Sequence, residues 1–268
     1  MSLRCAYTDL DGTLLGKGGS LFRDAEGQFS MIPARAIEAC HRANVEIVIM
    51  SGRREAQVLE DARLIGQSSY IYEAGCAFVI EGETTDLSGE VAGEGTVFER
   101  IESRGVPDLL FASFERKLEY HEPCNEGREH SHLFRGEVDV AEANAILERE
   151  GHEDLRLLDN GAINTLMDGI DTAHAYHLVP KLVSKASSVA AHMRARGYDP
   201  ADCIGIGDSL EDLEVASSVG RFYVVANGPA RDPGLAEALS RYENATVTEA
   251  SMGEGFYEAI VSTLARRE

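Results

Sequence analysis

The chain has 268 residues, with 46 acidic side chains against 25 Lys and Arg, a formal net charge of −21. So negative a chain repels phosphate backbones and anionic lipid headgroups, which argues against nucleic acid and membrane surfaces as partners; a small anion held beside a metal ion remains open. Its 44% hydrophobic and 26% charged content is ordinary for a globular protein of one large or two modest domains.

No apolar run approaches the ~18 residues of a membrane span. No signal-like apolar segment precedes Asp9, so a cytoplasmic location is expected. The five cysteines (Cys5, Cys40, Cys76, Cys124 and Cys203) are scattered without a CxxC pair. Reduced, mostly buried thiols fit that pattern better than disulfides or zinc.

In chain order, Arg4 to Thr8 reads as a strand that ends in "DLDGTLL", residues 9–15. Pro33 to Ala43 predicts a helix with proline in its first turn. Val45 to Met50 predicts a strand ending in Ser51-Gly52-Arg53, followed by a helix over Arg54 to Ile65. Tyr70 to Tyr72 and Cys76 to Ile80 predict short strands split by Gly75.

Residues 82–180 have a different texture, rich in Glu, Gly and His. Strands are predicted over Asp108 to Ala112, Ser131 to Phe134, Leu155 to Leu158 and Ala162 to Leu166. One helix carries clear end signals: Asp139 as N-cap, Glu142 three residues on in the manner of a capping box, and Gly151 beyond its end. A helix over Ser184 to Arg196 follows, then a strand over Cys203 to Gly207 that ends in "DSLED". A helix at Glu211 to Val219, a strand at Arg221 to Ala226 and a helix at Gly255 to Arg266 complete the chain.

Alternating strands and helices predict an α/β fold: a Rossmann-like, doubly wound parallel sheet built from residues 1–81 and 181–268. Residues 82–180 are expected to form a smaller α+β domain inserted into it. In such sheets ligands sit at the carboxyl ends of the strands. The strand tips would bring Asp9, Asp11, Asp208 and Asp212 to one edge. That much negative charge calls for a hard cation with oxygen ligands, and Mg²⁺ suits it. An EF-hand reading of "DLDG" fails, because its glycine stands fourth where a calcium loop needs it sixth.

Asp9 and Asp11 are two apart on extended backbone and share a face. One carboxylate can bind the metal and attack while the other moves a proton. The Ser51 hydroxyl, the Gly52 N–H and Lys185 at a helix start are candidate phosphate holders. Each has a plainer reading: Ser51 as a helix cap, Lys185 as a solvated lysine with Lys181 as its rival, Asp212 as a first-turn acid. Within 82–180, His121, His130 and His132 stand among Arg116, Lys117, Arg128 and Arg135. A structural reading of those histidines is preferred to a metal site.

"DLDGTLL", "SGR", a later lysine at a helix start and "GDSLED", in that order, resemble the four motifs of the haloacid dehalogenase superfamily of phosphohydrolases. The insertion between the second and third motifs resembles the C2B-capped branch, which includes phosphatases of sucrose phosphate and mannosyl-3-phosphoglycerate. "LEYHEP", residues 118–123, is similar to a cap stretch of the latter. The resemblance implies that Asp9 is the nucleophile and a Mg²⁺ ligand. It makes Asp11 the general acid/base, whose backbone carbonyl also meets the metal. Ser51 and Lys185 would bind the phosphoryl oxygens, with Gly52 and Arg53 also expected to bind substrate. Asp208 would ligate Mg²⁺, and Asp212 would support the metal site through the lysine or a metal-bound water. Arg135 is the expected cap residue for the leaving group.

Two positions depart from the family pattern: Glu211 stands where relatives often carry asparagine, and Glu73-Ala-Gly-Cys76 replaces "ENGA". The implied activity is Mg²⁺-dependent hydrolysis of a small phosphorylated metabolite (a sugar, sugar-acid or glycosyl-phosphoglycerate phosphate) through an aspartyl-phosphate. A phosphomutase and a non-catalytic phosphate-binding protein are the alternatives. The metabolite and the oligomeric state are not legible in the sequence.

Overall fold

The computed structural model describes residues 2–89, 91–163 and 165–266. The chain opens with β1 (Cys5–Thr8), α1 (Ile32–Ala43), β2 (Glu46–Met50), α2 (Glu55–Leu64), β3 (Tyr70–Tyr72), β4 (Ala77–Ile80) and β5 (Glu83–Asp86). The middle holds α3 (Val97–Ser103), α4 (Val106–Ser113), β6 (Leu118–Tyr120), β7 (His132–Gly136), α5 (Val140–Arg149), β8 (Leu155–Ala162) and β9 (His174–Pro180). The last part holds α6 (Lys185–Arg196), β10 (Cys203–Gly207), α7 (Leu210–Leu213), β11 (Arg221–Val224), α8 (Asn227–Arg231), α9 (Pro233–Leu239), β12 (Ala245–Val247) and α10 (Met252–Ala265).

Eight strands form one sheet in the order β12-β11-β10-β1-β2-β3-β4-β5. From β12 to β3 every pairing is parallel; β4 and β5 add an antiparallel margin. The central strands are apolar on both faces, as a sheet covered by helices on both sides requires. Ala6, Ile47 and Ile49 face one core with Phe256 and Ile260 of α10. Their neighbours Tyr7, Val48 and Met50 face the other core with Val189 and Met193 of α6. The period of two in the strands therefore builds both cores at once.

The inserted unit is a four-stranded sheet, β6-β7-β9-β8, antiparallel throughout. Phe134, Leu157, Tyr176 and Leu178 pack there against Ile101, Leu110 and Leu147 of its helices. β5 pairs with β4, so residues 83–86 extend the larger sheet, slightly past the boundary expected at 82.

Other expectations for this unit need correction. Residues 108–112 lie inside helix α4, not a strand: Gly105 caps it in a left-handed conformation and Pro107 sits in its first turn. A short apolar run fits a buried helix as well as a strand, and the Gly-Val-Pro start decides it. The strand expected over 162–166 is the end of β8, which stops at Ala162; Asn164 lies outside the described residues. β9, the central partner of both β7 and β8, was not foreseen. Asp139 does cap α5, accepting from the backbone N–H of Ala141 and Glu142. All five cysteines are free, and four of them are buried. No helix among the described residues is long and apolar enough to cross a membrane.

Candidate active site

Parallel pairing sets the depth of the site. Thr8 stands level with Ile49 on one side and Ile206 on the other, so Asp9, Ser51 and Asp208 emerge from adjacent strands at nearly one height. The Asp9 N–H still bonds to the Ile206 carbonyl at 3.0 Å, which keeps the aspartate on strand geometry. Gly12 turns the chain back at φ 86°, and a Cβ there would meet Asp208 Oδ2 at 2.5 Å. The turn after "DLD" therefore requires glycine for both its conformation and its contact.

Lys185 is the first residue of α6 and is 1% exposed. Ser184 caps the helix in a capping box with Ser187, aiming that first turn into the site. Lys185 Nζ lies 2.9 Å from Asp9 Oδ1, 2.7 Å from Asp212 Oδ1 and 4.0 Å from Glu211 Oε2. Burial opposes the lysine's charge, but Asp212, Asp9 and Glu211 outweigh it and hold the ammonium well above its usual range. Lys181, the rival, pairs with Glu148 on the surface.

One ammonium does not balance the surrounding acids. Burial pushes the Asp9 carboxyl well up; Lys185 resists, while Asp212 and Asp208 push further. Asp208 is raised to about 6 by burial and Asp212, despite Arg231 at 3.1 Å. Glu211 is raised to about 7, chiefly by burial, and neither of its oxygens accepts a hydrogen bond among the described residues. Burial leads each of these rises, and repulsion from Asp212 adds to them. Asp9, Asp208 and Asp212 offer oxygens within 4.8 Å of one another, a hard donor set suited to a divalent cation.

The expected ligands do not stand alike. Asp212 spends Oδ1 on Lys185 and Oδ2 on the N–H groups of Asp208 and Ser209 and on the Ser209 hydroxyl. These bonds fix the lysine and the loop. The Asp11 side chain is not in the cluster; Arg53 takes both of its oxygens. Ser51 is buried, and its hydroxyl accepts from the Arg53 N–H at 3.2 Å.

A cavity of about 620 Å³ opens above this edge, walled below by Asp9, Asp11, Ser51, Gly52, Lys185 and Asp208. The inserted unit supplies the roof, with His121, Arg128, Asn160 and His177 among its residues. Arg135 is not among the lining residues: it pairs across the strands with Glu119 at 2.6 Å. Arg128, not Arg135, lines the cavity. The Arg128 guanidinium is buried and reaches the core, donating to the Gly52 carbonyl at 2.9 Å. Glu73, also unforeseen, joins core to cap: it accepts from Glu129 N and His130 N, each at 3.0 Å, and from Ser131 Oγ at 2.7 Å. Its place in the altered "ENGA" stretch was the one signal in the sequence that could have pointed to it.

The comparisons with known proteins converge on this description. A model of haloacid dehalogenase-like hydrolases matches residues 160–245. A phosphoglycolate phosphatase of Methanoculleus marisnigri is 25% identical over 265 residues, covering 96% of this chain and 95% of that one. That of Natronomonas pharaonis is 37% identical over 94 residues, only 35% of this chain and 38% of its own length. Among solved structures, the sucrose-phosphatase of Synechocystis sp. PCC6803 superimposes with a TM-score of 0.69 at 14% identity, over 98% of both chains. A Thermoplasma acidophilum protein gives 0.67 at 15% identity, again over 98% of both. Over residues 160–245 the chain matches the haloacid dehalogenase-like hydrolase model, and along its whole length it shares the fold of these solved structures.

Proposed function

We propose that this protein is a Mg²⁺-dependent phosphatase of small phosphorylated carboxylic acids, working through an aspartyl-phosphate on Asp9. The observation that carries the reading is the buried Asp9–Lys185–Asp208 edge, with its unbalanced carboxylates under a cavity of small-metabolite size. Asp9, Asp208 and the Asp11 carbonyl are the proposed metal ligands, and Asp212 acts by holding Lys185. When bound, the cation would supply charge neutralisation for the phosphoryl oxygens.

The chemistry then belongs to the side chains. An Asp9 oxygen attacks phosphorus, the bond from phosphorus to the leaving oxygen breaks, and Asp11 gives that oxygen a proton. Asp11 next takes a proton from water as the water oxygen attacks the same phosphorus. The bond to Asp9 breaks and inorganic phosphate departs. Ser51, the Gly52 N–H and Lys185 hold the phosphoryl oxygens in both steps.

The leaving group is read from the roof. In a chain of net charge −21, the cap residues around the cavity include Arg128, two histidines and Asn160, and no acid. Hydroxyl-rich sugars want acceptors there; a carboxylate wants donors. The names of the full-length relatives agree with that choice, so phosphoglycolate is the first substrate to try. The test is phosphate release from phosphoglycolate, sugar phosphates and glycosyl-phosphoglycerates, with Mg²⁺ and with chelator, beside Asp9→Asn. Fast, Mg²⁺-dependent release from phosphoglycolate that Asp9→Asn abolishes is expected. Full activity in a folded Asp9→Asn protein would sink the nucleophile assignment.

A further inference from the structure

His177 stands in the middle of β9 and is 1% exposed. It belongs to the cap, yet its ring reaches the core. A Cβ built on Gly52 would meet His177 Nε2 at 2.6 Å and Cε1 at 3.1 Å, with Asn160 Nδ2 at 3.6 Å. No side chain fits at position 52 because a cap imidazole already fills that space.

The ring makes no hydrogen bond among the described residues. Its Nδ1 is fully enclosed without a partner, and the ring lines the cavity. Every charged or titratable group acting on it is a base: Arg128, Lys185 and His121. A buried polar ring with no acceptor and positive neighbours is unfavourable as it stands. An anion at Nε2 gives the ring an acceptor and the neighbouring bases a counter-charge.

We infer that His177 is a substrate-binding residue whose Nε2–H donates to an anionic oxygen held at the Ser51–Gly52 loop, so that the cap closes on the phosphoryl pocket itself. The identity of that anion as a phosphate monoester rests on the function proposed above; the existence of the anion site does not. Burial and the neighbouring cations keep the imidazole neutral, leaving it one N–H to give. An anion at Nε2 selects the tautomer that carries the proton there, with Nδ1 bare. Asn160 stands beside the same spot as a second donor.

The experiment compares wild type, His177→Leu, His177→Gln and His177→Asn as full chains with Mg²⁺. Binding of inorganic phosphate is measured by calorimetry and turnover on phosphoglycolate by steady-state kinetics. His177→Leu should weaken phosphate binding and raise KM about tenfold or more. His177→Gln carries an N–H where Nε2 stood and should stay close to wild type; His177→Asn reaches only the Nδ1 position and should behave like leucine. Without phosphate, His177→Leu should melt no lower than wild type, because it removes an unpartnered group, whereas a merely structural histidine would leave a destabilised protein. Equal phosphate affinity in the Leu and wild-type proteins overturns the inference, as does a wild type that binds no phosphate. Should the leucine variant fail to fold, equal binding by the Gln and Asn variants overturns it instead. Phosphate binding that depends on His177, in a protein that hydrolyses no ester, defeats the phosphatase reading and leaves the anion site standing.

Discussion

Arg53 grips the Asp11 carboxylate at both oxygens, Nε to Oδ2 at 2.8 Å and Nη2 to Oδ1 at 2.6 Å, while its Nη1 holds Asp61 at 2.8 Å. The proposed acid/base is thus aimed from a neighbouring strand tip. Asp11 is largely exposed, so this grip contributes little to stability and much to orientation. Arg53→Ala should lower kcat about 10- to 100-fold through lost positioning, yet cost no more than about 1 kcal/mol in unfolding free energy. Steady-state kinetics beside urea unfolding separate the two effects. An unchanged kcat would mean that Asp11 needs no such guide.

Lys185 has the opposite profile, because it is buried among three acids. Lys185→Met leaves Asp9, Asp212 and Glu211 facing one another without their cation. Removing one partner of a buried ion cluster costs about 3–5 kcal/mol. The variant should lose that much in urea unfolding and lose turnover. Its stability should also respond more steeply to added Mg²⁺ than that of the wild type. A variant as stable as wild type in chelator would show that the acids are already protonated there.

The core half of this site was legible because its signals are local. Buried parallel strands are nearly pure apolar runs, so a carboxylate or serine at the end of one stands out, and parallel pairing alone brings Asp9, Ser51 and Asp208 together. The cap half was not legible. Glu73 meets residues 129–131 only when two separate sheets dock, and no spacing announces that contact. Arg128 and Arg135 look alike in the sequence; burial beside Gly52 distinguishes one, and a cross-strand glutamate occupies the other. β9 escaped notice because its polar and apolar residues do not alternate simply: six of its seven residues, from Ala175 on, are buried in succession, His177 among them.

The docking of the cap through Glu73 can itself be measured. Its carboxylate is 1% exposed and satisfies three donors from residues 129–131. Glu73→Ala orphans those donors in the docked state only, since water serves them when the cap is open. Each bond to a charged group is worth about 1.5–3 kcal/mol. The closed state should therefore become less populated, KM should rise about tenfold or more, and the linkers near residues 91–96 and 181–184 should be cut faster by protease. Glu73→Gln, which keeps one acceptor oxygen, should fall between. Unchanged KM and cleavage in Glu73→Ala would mean that the apolar seam of Ala74, Cys76, Val179 and Val183 suffices to dock the cap.

His132 gives the cap a predictable response to acid. It is buried in β7, stacks on Phe98 with centroids 3.8 Å apart, and its Nε2 pairs with the Phe98 carbonyl at 3.1 Å. Burial pushes its pKa down from 6.5 to about 4; the Phe98 carbonyl resists, and Arg128 adds to the fall. Because the folded value lies below the unfolded one, the unfolded chain takes up the proton first as pH falls. The stabilising contribution is complete above pH ~6.5 and is lost progressively down to pH ~4. A shift of that size corresponds to roughly 3 kcal/mol. His132→Phe keeps the stack and cannot titrate. Its stability at neutral pH should drop modestly, by about 1 kcal/mol for the lost hydrogen bond. Between pH 7 and 4 it should then lose roughly 2–3 kcal/mol less than the wild type does. Chemical unfolding at several pH values decides the matter: parallel curves for the two proteins would show that His132 is protonated without leaving its place in the fold.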